Sequence, residues 1–262
     1  MLTGVGGNNL VTNLSHADIA LSKSVGRISS GKRISRASED PAGNAMVSAM
    51  DSQSRALTQL MSNQQSQASV LQTASSSLTT TSNILQGINS LALQASNGTL
   101  TESDRAMIQQ QINQLSTQIN MSANQAQYNG QNLLDGSFST TLQNGEKFAI
   151  DSMTADALGL NNLSVATPSE AMSASDLAKS ALSKVVSTQS SIGAAINGIN
   201  SNIANLGNQY MNAMSAQSQI GDVDMASEIM NLTLSKMQSQ ASIKVYKMNE
   251  DTRSNVLNLL KE

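Results

Sequence analysis

Leu21 to Met50 reads LSKSVGRISSGKRISRASEDPAGNAMVSAM, and the way this stretch divides sets the reading of the whole chain. Its first half is a basic helix. Leu21, Val25 and Ile28 fall on one face, and Lys23, Arg27, Lys32, Arg33 and Arg36 add positive charge with no acid among them. The pattern breaks at Ser38-Glu39-Asp40-Pro41. Asp40 is suited to accept the free amides of a helix start, and Pro41 suits the first helical position, which needs no N–H donor. A second helix therefore begins at Pro41.

Upstream, Leu10, Leu14, Ala17, Leu21 and Ile28 step by three or four with Ser24 in the missing place, which predicts an amphipathic helix from Asn8 to about Ser35. Gly4, Gly6 and Gly7 predict a loose segment before it. Downstream, a 4-3 spacing runs from Met46 and Met50 through Gln53, Leu57, Leu60, Gln64, Gln67, Leu71, Ala74, Leu78 and Thr81 to Leu85, Ile88, Ala92 and Ala95. That is a coiled-coil seam, weakened by its glutamines and threonine and ended by Asn97-Gly98. A helix over this span is roughly 84 Å long. A compact globule of this chain length has a radius of gyration of only about 18 Å. An elongated rod is expected.

Thr101-Glu102-Ser103-Asp104 has the form of a capping box and opens a third helix with a seam of Ile108, Ile112, Leu115, Ile119, Ser122 and Ala126, able to fold back antiparallel through the turn at Gly98. Turn formers fill Tyr128–Gly136. Phe138, Thr140 and Leu142 alternate before Asn144-Gly145, and Phe148 and Ile150 after it, which predicts a β-hairpin. Thr154 to Ala174 reads as irregular and contains Pro168. Helix resumes at about Asp176, with Ile192, Ile196, Ile199, Ile203, Leu206, Tyr210, Ala213, Gln217 and Ile220 in 4-3 spacing, a seam able to pair with that of the second helix. After Gly221–Ala226 a last helix has one stripe of Val223, Met230, Leu234, Met237, Ala241 and Val245 and another of Ile229, Leu232 and Ile243. A helix apolar on two sides needs two neighbours. The fold class expected is mainly α: an elongated rod of long antiparallel coiled-coil helices with a small β-hairpin region, its N- and C-terminal helices paired at one end.

Composition narrows the function. Of 262 residues 39% are hydrophobic, 2% aromatic and 13% charged, which suits long thin helices joined by narrow seams better than a thick core or a charged disordered chain. A net charge of -3 gives no reason to expect nucleic acid. No apolar run reaches the length of a membrane span, and the first residues do not begin a signal peptide. With no cysteine and one histidine, His16, no catalytic triad or metal set can be built, so no cofactor and no enzyme activity is expected. The pairs Glu39/Asp40 and Asp222/Asp224 read as helix-end charges. The methionines lie mostly at seam spacing. Function is expected from association instead: Leu10, Leu14, Leu21, Met230, Met237, Val256, Leu257, Leu259 and Leu260 are read as burying against one another and neighbouring subunits. Arg27, Arg33 and Arg36 are read as facing Asp222, Asp224 and Glu228. Head-to-tail contacts that do not close build helical filaments.

RISSGKRISRASEDPAGNAM resembles the bacterial flagellin signature RLSSGxRInxAxDDxAG, the segment YNGQNLLDG resembles FNGxxLLdG, and GDVDMA and the leucine-rich tail resemble the family's C-terminal features. The resemblance implies a filament subunit with an inner layer of residues 1–40 and 222–262 and a shell of 41–221, the hairpin region covering about 128–172. It also implies export through the flagellar type III channel without a cleaved signal, an extracellular flagellar location, and as partners other copies of the chain, the hook-filament junction and cap proteins, an export chaperone and the export apparatus. Thr154–Ala174 is too short to carry a large outer domain. In many flagellins LQRxRELAVQ contacts the vertebrate innate-immune receptor. Here Gly87, Asn89 and Ser90 replace the charged groups while Leu91 and Gln94 match, so weak or no activation is expected. Family members often carry O-glycans in the hairpin region, which marks Ser137, Ser139, Thr140, Thr141, Ser152, Thr154, Ser164 and Thr167 as candidates. The alternatives are the hook-filament junction protein, which shares related termini, and, from another class, a coiled-coil signalling hairpin, which lacks the central β-hairpin.

Overall fold

A computed structural model describes residues 3–142, 145 and 147–259, with side chains from residue 11 to residue 255 among these. The described residues form helices α1 (Thr3–Ser30), α2 (Pro41–Ala95), α3 (Glu102–Gln125), α4 (Pro168–Gly221) and α5 (Met225–Leu259). Two small antiparallel sheets pair β1 (Gln127–Tyr128) with β2 (Gln131–Asn132) and β3 (Ser139–Thr141) with β4 (Lys147–Ala149). The mainly α class is borne out, with α2 packed on α4 and α1 on α5. The chain divides into two compact units, Leu57–Asn208 and the pair of segments Met1–Ala56 and Gln209–Glu262.

In the Leu57–Asn208 unit the seam behaves as its spacing predicts. Leu71, Ala74, Leu78, Thr81, Leu85, Ile88, Ala92 and Ala95 are all fully buried. The hydroxyl of Thr81 is satisfied by its own helix, donating to the Ser77 carbonyl at 3.1 Å. α4 runs antiparallel to α2: Ser175 Oγ donates to Asn89 Oδ1 at 2.7 Å and Gln189 Nε2 to Thr79 Oγ1 at 3.1 Å. α3 returns along α2, with Leu115 beside Gly87. Its capping box is present, Asp104 N donating to Thr101 Oγ1 at 3.2 Å and Thr101 N to Asp104 Oδ2 at 2.9 Å.

Three local readings are corrected here. Tyr128–Gly130 is more than a turn: Asn129 at φ 50° and Gly130 at φ 78° form the tight connection of a hairpin between β1 and β2, the primed geometry that Asn-Gly favours. Helix α4 starts at Pro168, not near Asp176. Pro168 opens the helix, and Thr167 and Glu170 form a capping box through Glu170 N donating to Thr167 Oγ1 at 3.2 Å and Thr167 N to Glu170 Oε2 at 3.3 Å. Ala171, Ala174, Ala178, Ala181 and Val185 then continue the buried seam. The segment before Pro168 is irregular but tightly held. Ile150, Met153, Ala155, Leu160 and Val165 are buried, and α3 pins the backbone: Gln109 Nε2 donates to Leu163 O at 2.8 Å, Val165 N donates to Gln109 Oε1 at 2.9 Å, Arg105 Nε donates to Ala166 O at 2.9 Å, and Ala155 N donates to Asn120 Oδ1 at 2.9 Å.

The predicted β3–β4 hairpin is present, pairing Thr140 with Phe148, and closes at Gly145, whose N–H donates to Leu142 O at 2.9 Å. Asn144, its other turn residue, lies outside the described residues. The seam positions Met46, Gln53 and Leu60 are exposed while Leu57 and Gln64 are buried, so the seam of α2 becomes continuously buried only from Leu71 onward.

Candidate assembly surface

The unit formed by Met1–Ala56 and Gln209–Glu262 contains most of the residues that the sequence marks for association. α1 ends at Ser30 rather than Ser35 because Gly31, at φ +68°, turns the chain out of the helix. Its glycines at 4, 6 and 7 lie within α1 rather than in a loose segment, since glycine lowers helix propensity without forbidding the helix. Beyond Gly31 the backbone runs beside the break between α4 and α5. Arg33 N donates to Gly221 O at 2.7 Å, Val223 N donates to Gly31 O at 3.1 Å, and Lys32 pairs with Asp222 as an antiparallel bridge. The segment from Gly31 to Asp40 is thus tied to the return segment by main-chain bonds that are indifferent to its side chains.

Both helix starts are capped by the predicted aspartates. Gly43 N donates to Asp40 Oδ1 at 2.8 Å, and Ala226 N donates to Asp224 Oδ1 at 3.0 Å. Asp222 accepts from Ser218 Oγ at 2.6 Å. Ser35 N donates to Glu39 Oε2 at 3.1 Å, and that bond, with the charges of Arg27 and Lys23, holds the Glu39 carboxyl below the ordinary glutamate range. Of the three arginines, Arg27 faces Glu228 at 3.9 Å, the acid buried and the guanidinium Nε without a hydrogen-bond partner. Arg33 and Arg36 form no ion pair among the described residues, and within the chain Asp222 and Asp224 are engaged at helix ends. Arg36 instead lines a cleft of about 840 Å³ with Val11, Leu14, Ile19, Lys23 and Glu39.

α1 and α5 pack antiparallel, as Arg27 beside Glu228 and Ser239 Oγ donating to Asp18 Oδ1 at 3.1 Å require. The α1 face of this contact is the predicted seam, with Ala17 and Ser24 buried and Leu14, Leu21 and Ile28 half-buried. The α5 face takes only Leu232 from the two apolar stripes. It is Glu228, Leu232, Ser235, Ser239 and Ser242, the first and third of them buried and the others half-buried. Small side chains let the helices approach closely. The large apolar groups are left outside: Met230 is 62% exposed, Leu234 58% and Met237 63%, with Val245, Met248, Ile229 and, on α1, Val11, Ile19 and Val25 also exposed. The side chains of Leu10, Val256, Leu257 and Leu259, and the whole of Leu260, lie outside the described residues.

The remaining candidate positions lie in the Leu57–Asn208 unit. Asn89 accepts from Ser175 in the α2·α4 contact, Gly87 and Leu91 are half-buried, and Ser90 and Gln94 are exposed. Ser137 Oγ donates to Asp135 at 2.6 Å, Ser152 and Thr154 share a hydroxyl contact at 3.2 Å, Ser164 Oγ donates to Glu170 at 2.8 Å, and Thr167 caps α4. Thr140 is half-buried, whereas Ser139 and Thr141 are exposed on the hairpin. Among the described residues no group of acids and histidine is arranged to hold a metal ion, and no helix is long and apolar enough to cross a membrane.

Residues 3–139 match the bacterial flagellin N-terminal helical region and residues 175–260 the bacterial flagellin C-terminal helical region. The chain is 33% identical to a flagellar filament 30.7 kDa core protein of Treponema maltophilum over 89% of its own length and 90% of the relative's. It is 34% identical to a flagellin of Halalkalibacterium halodurans over 97% and 95% of the two chains. Among solved structures, Bacillus cereus flagellin matches with a TM-score of 0.50 at 24% identity, over 55% of this chain and 88% of that one. A flagellar hook-associated protein of Vibrio parahaemolyticus matches with 0.60 at 16% identity, over 70% and 100%, a likeness of fold alone. With both terminal regions matched and near-full-length relatives above the threshold at which such identity is accidental, the chain belongs to the bacterial flagellins, the non-enzymatic structural subunits that polymerise into the flagellar filament.

Proposed function

We propose that this subunit polymerises through the outward stripes of α1 and α5 together with the leucine-rich tail, Val256, Leu257, Leu259 and Leu260. The observation that carries this reading is the inversion of α5: Glu228 and serines, with Leu232 alone of the large apolar groups, meet the α1 seam, while Met230, Leu234 and Met237 face away from it. Large apolar side chains that the subunit does not cover are stabilised when another copy does. In this reading Leu14 and Leu21, half-buried at the α1·α5 contact, are covered the rest of the way by a neighbouring copy, together with Leu10. Residues 1–40 and 222–262 form an inner layer and 41–221 a shell. Deleting residues 251–262 is expected to leave a helical chain that forms no filaments in electron micrographs after addition of a precipitating salt. Filaments of ordinary length from that truncation would refute it.

Arg33 and Arg36, which have no acid partner among the described residues, are free to meet acids of a neighbouring subunit. Exposed pairs contribute only about 0–1 kcal/mol each, but the contact repeats at every subunit. Arg33→Glu is expected to weaken assembly and change its salt dependence; unchanged assembly and salt response would count against the contact. The finer partners follow the family: the junction and cap proteins, an export chaperone and the type III apparatus, with an extracellular filament as destination.

Two further readings concern the Leu57–Asn208 unit. Asn89 is engaged with Ser175 and Gly87 has no side chain, which supports weak or absent activation of the innate-immune flagellin receptor; a reporter response at ordinary flagellin potency would sink it. Ser139 and Thr141 are the best placed of the candidate O-glycan positions, because they are exposed and no side chain among the described residues engages their hydroxyls. Intact mass of the protein from its source tests this directly.

A further inference from the structure

We infer that Met230, Met237 and Met248 on α5 are sites of reversible sulfoxidation that decide whether a free subunit can enter a filament; the inference rests on the proposed role of the outward stripe. The three are 62%, 63% and 67% exposed, among the most exposed large apolar side chains of the described residues. They also share one line. At 3.6 residues per turn, steps of seven and eighteen residues return to within about 20° of the starting direction, so the thioethers stand above one another with Leu234 and Val245 between them. The chain has no cysteine to react first and only one histidine. The exposed methionine sulfurs, these three among them, are therefore the soft nucleophiles that peroxide meets.

The chemistry is a two-electron transfer. A thioether sulfur attacks one oxygen of hydrogen peroxide, the O–O bond breaks, the second oxygen leaves as water after proton transfer, and the product is methionine sulfoxide. A flexible apolar group becomes a polar one with a strong acceptor oxygen. An exposed sulfoxide is fully hydrated and leaves the free subunit stable. Burying it against the apolar surface of another copy removes that hydration without a hydrogen bond in return, a penalty on the order of tenfold in association per site. Reduction needs thiols from outside the chain, which has none, so methionine sulfoxide reductases are the restoring agents. Assembly closes the window, because a sulfur covered by a neighbour is out of reach.

The test begins with a partly oxidised pool of the full-length protein, made with hydrogen peroxide, polymerised and separated by centrifugation. Peptide mass spectrometry then compares pellet and supernatant. Sulfoxide at Met230, Met237 and Met248 is expected to be depleted in the pellet on the order of tenfold. Sulfoxide at Met107 and Met121, exposed on α3, is expected in equal proportion in both. Treatment of the supernatant with the two reductases should return it to assembly. Equal distribution of the α5 sulfoxides between pellet and supernatant overturns the inference. The combined variant Met230→Leu, Met237→Leu and Met248→Leu should assemble after peroxide treatment; loss of its assembly to the same degree as the parent also overturns it. A separate measurement isolates the underlying surface reading: oxidation rates of the three residues in preformed filaments. If they react as fast there as in free subunits, the stripe is not a subunit contact and the reading beneath fails. Slow reaction in filaments with equal distribution in the pool sinks the oxidation inference alone.

Discussion

Replacing Gln109 by alanine removes the clamp that ties the irregular segment before α4 to α3. The amide donates to Leu163 O at 2.8 Å and accepts from Val165 N at 2.9 Å, and both Leu163 and Val165 are buried. Each main-chain group left without a partner costs about 1–3 kcal/mol when water cannot reach it, so the pair together is worth roughly 2–6 kcal/mol. For a unit of this size that corresponds to a fall in melting temperature of roughly 4–24 °C. The assay is thermal unfolding followed by helical circular dichroism, with hydrogen exchange at the Val165 amide as the local readout. Gln109→Glu separates the two bonds. It keeps an acceptor for Val165 but sets a second oxygen against Leu163 O and against Asn113 Oδ1, which now accepts from Gln109 at 2.9 Å. The ionised form is disfavoured in the folded state, so the introduced carboxyl has a raised pKa there, and the variant should regain stability as pH falls through that value. A Gln109→Ala variant melting within about 1 °C of the parent, with Val165 exchange unchanged, would refute the clamp.

Gly43→Ala places a Cβ that overlaps the Asp40 carboxylate and comes within 2.6 Å of Ile34 Cδ1. Loss of the α2 cap should cost about 0.5–2 kcal/mol in urea unfolding. Gly26→Ala, where a Cβ meets nothing within 4 Å, should instead stabilise α1 by up to about 1 kcal/mol. Thr167→Ala should lower stability by about 1 kcal/mol through the α4 capping box, and an unchanged urea midpoint would argue against it. Because the folded-state pKa of Glu39 is lowered, its contribution is fully present above the ordinary glutamate value of about 4.3 and is lost as pH falls through the lower folded value. Glu39→Gln should therefore flatten the acid side of the stability–pH curve.

What could be read before the structure was local. Asp40-Pro41, Thr101–Asp104 and the 4-3 steps of α2 and α3 each depend on residues a turn or two apart, and capping and helical periodicity act over that range. The same reasoning misread Pro168 as a break, because a proline that stops a helix and one that starts it differ only in what precedes them, here Thr167 and its partner Glu170. The clamp of Gln109 was also illegible: it joins residues more than fifty positions apart through one amide, with no pattern in the sequence to mark it.

The face of α5 shows the limit most plainly. The chain by itself determines that α5 is a helix with apolar groups on more than one side, and that it must find more than one neighbour. Which side meets α1 was decided only by the tertiary structure, since close approach of two helices is governed by the size of facing side chains as well as by their hydrophobicity. Ser235 and Ser239 let α1 come near and the ion pair of Arg27 with Glu228 sits in the contact. The methionines are thereby turned outward, where a second copy of the chain can cover them.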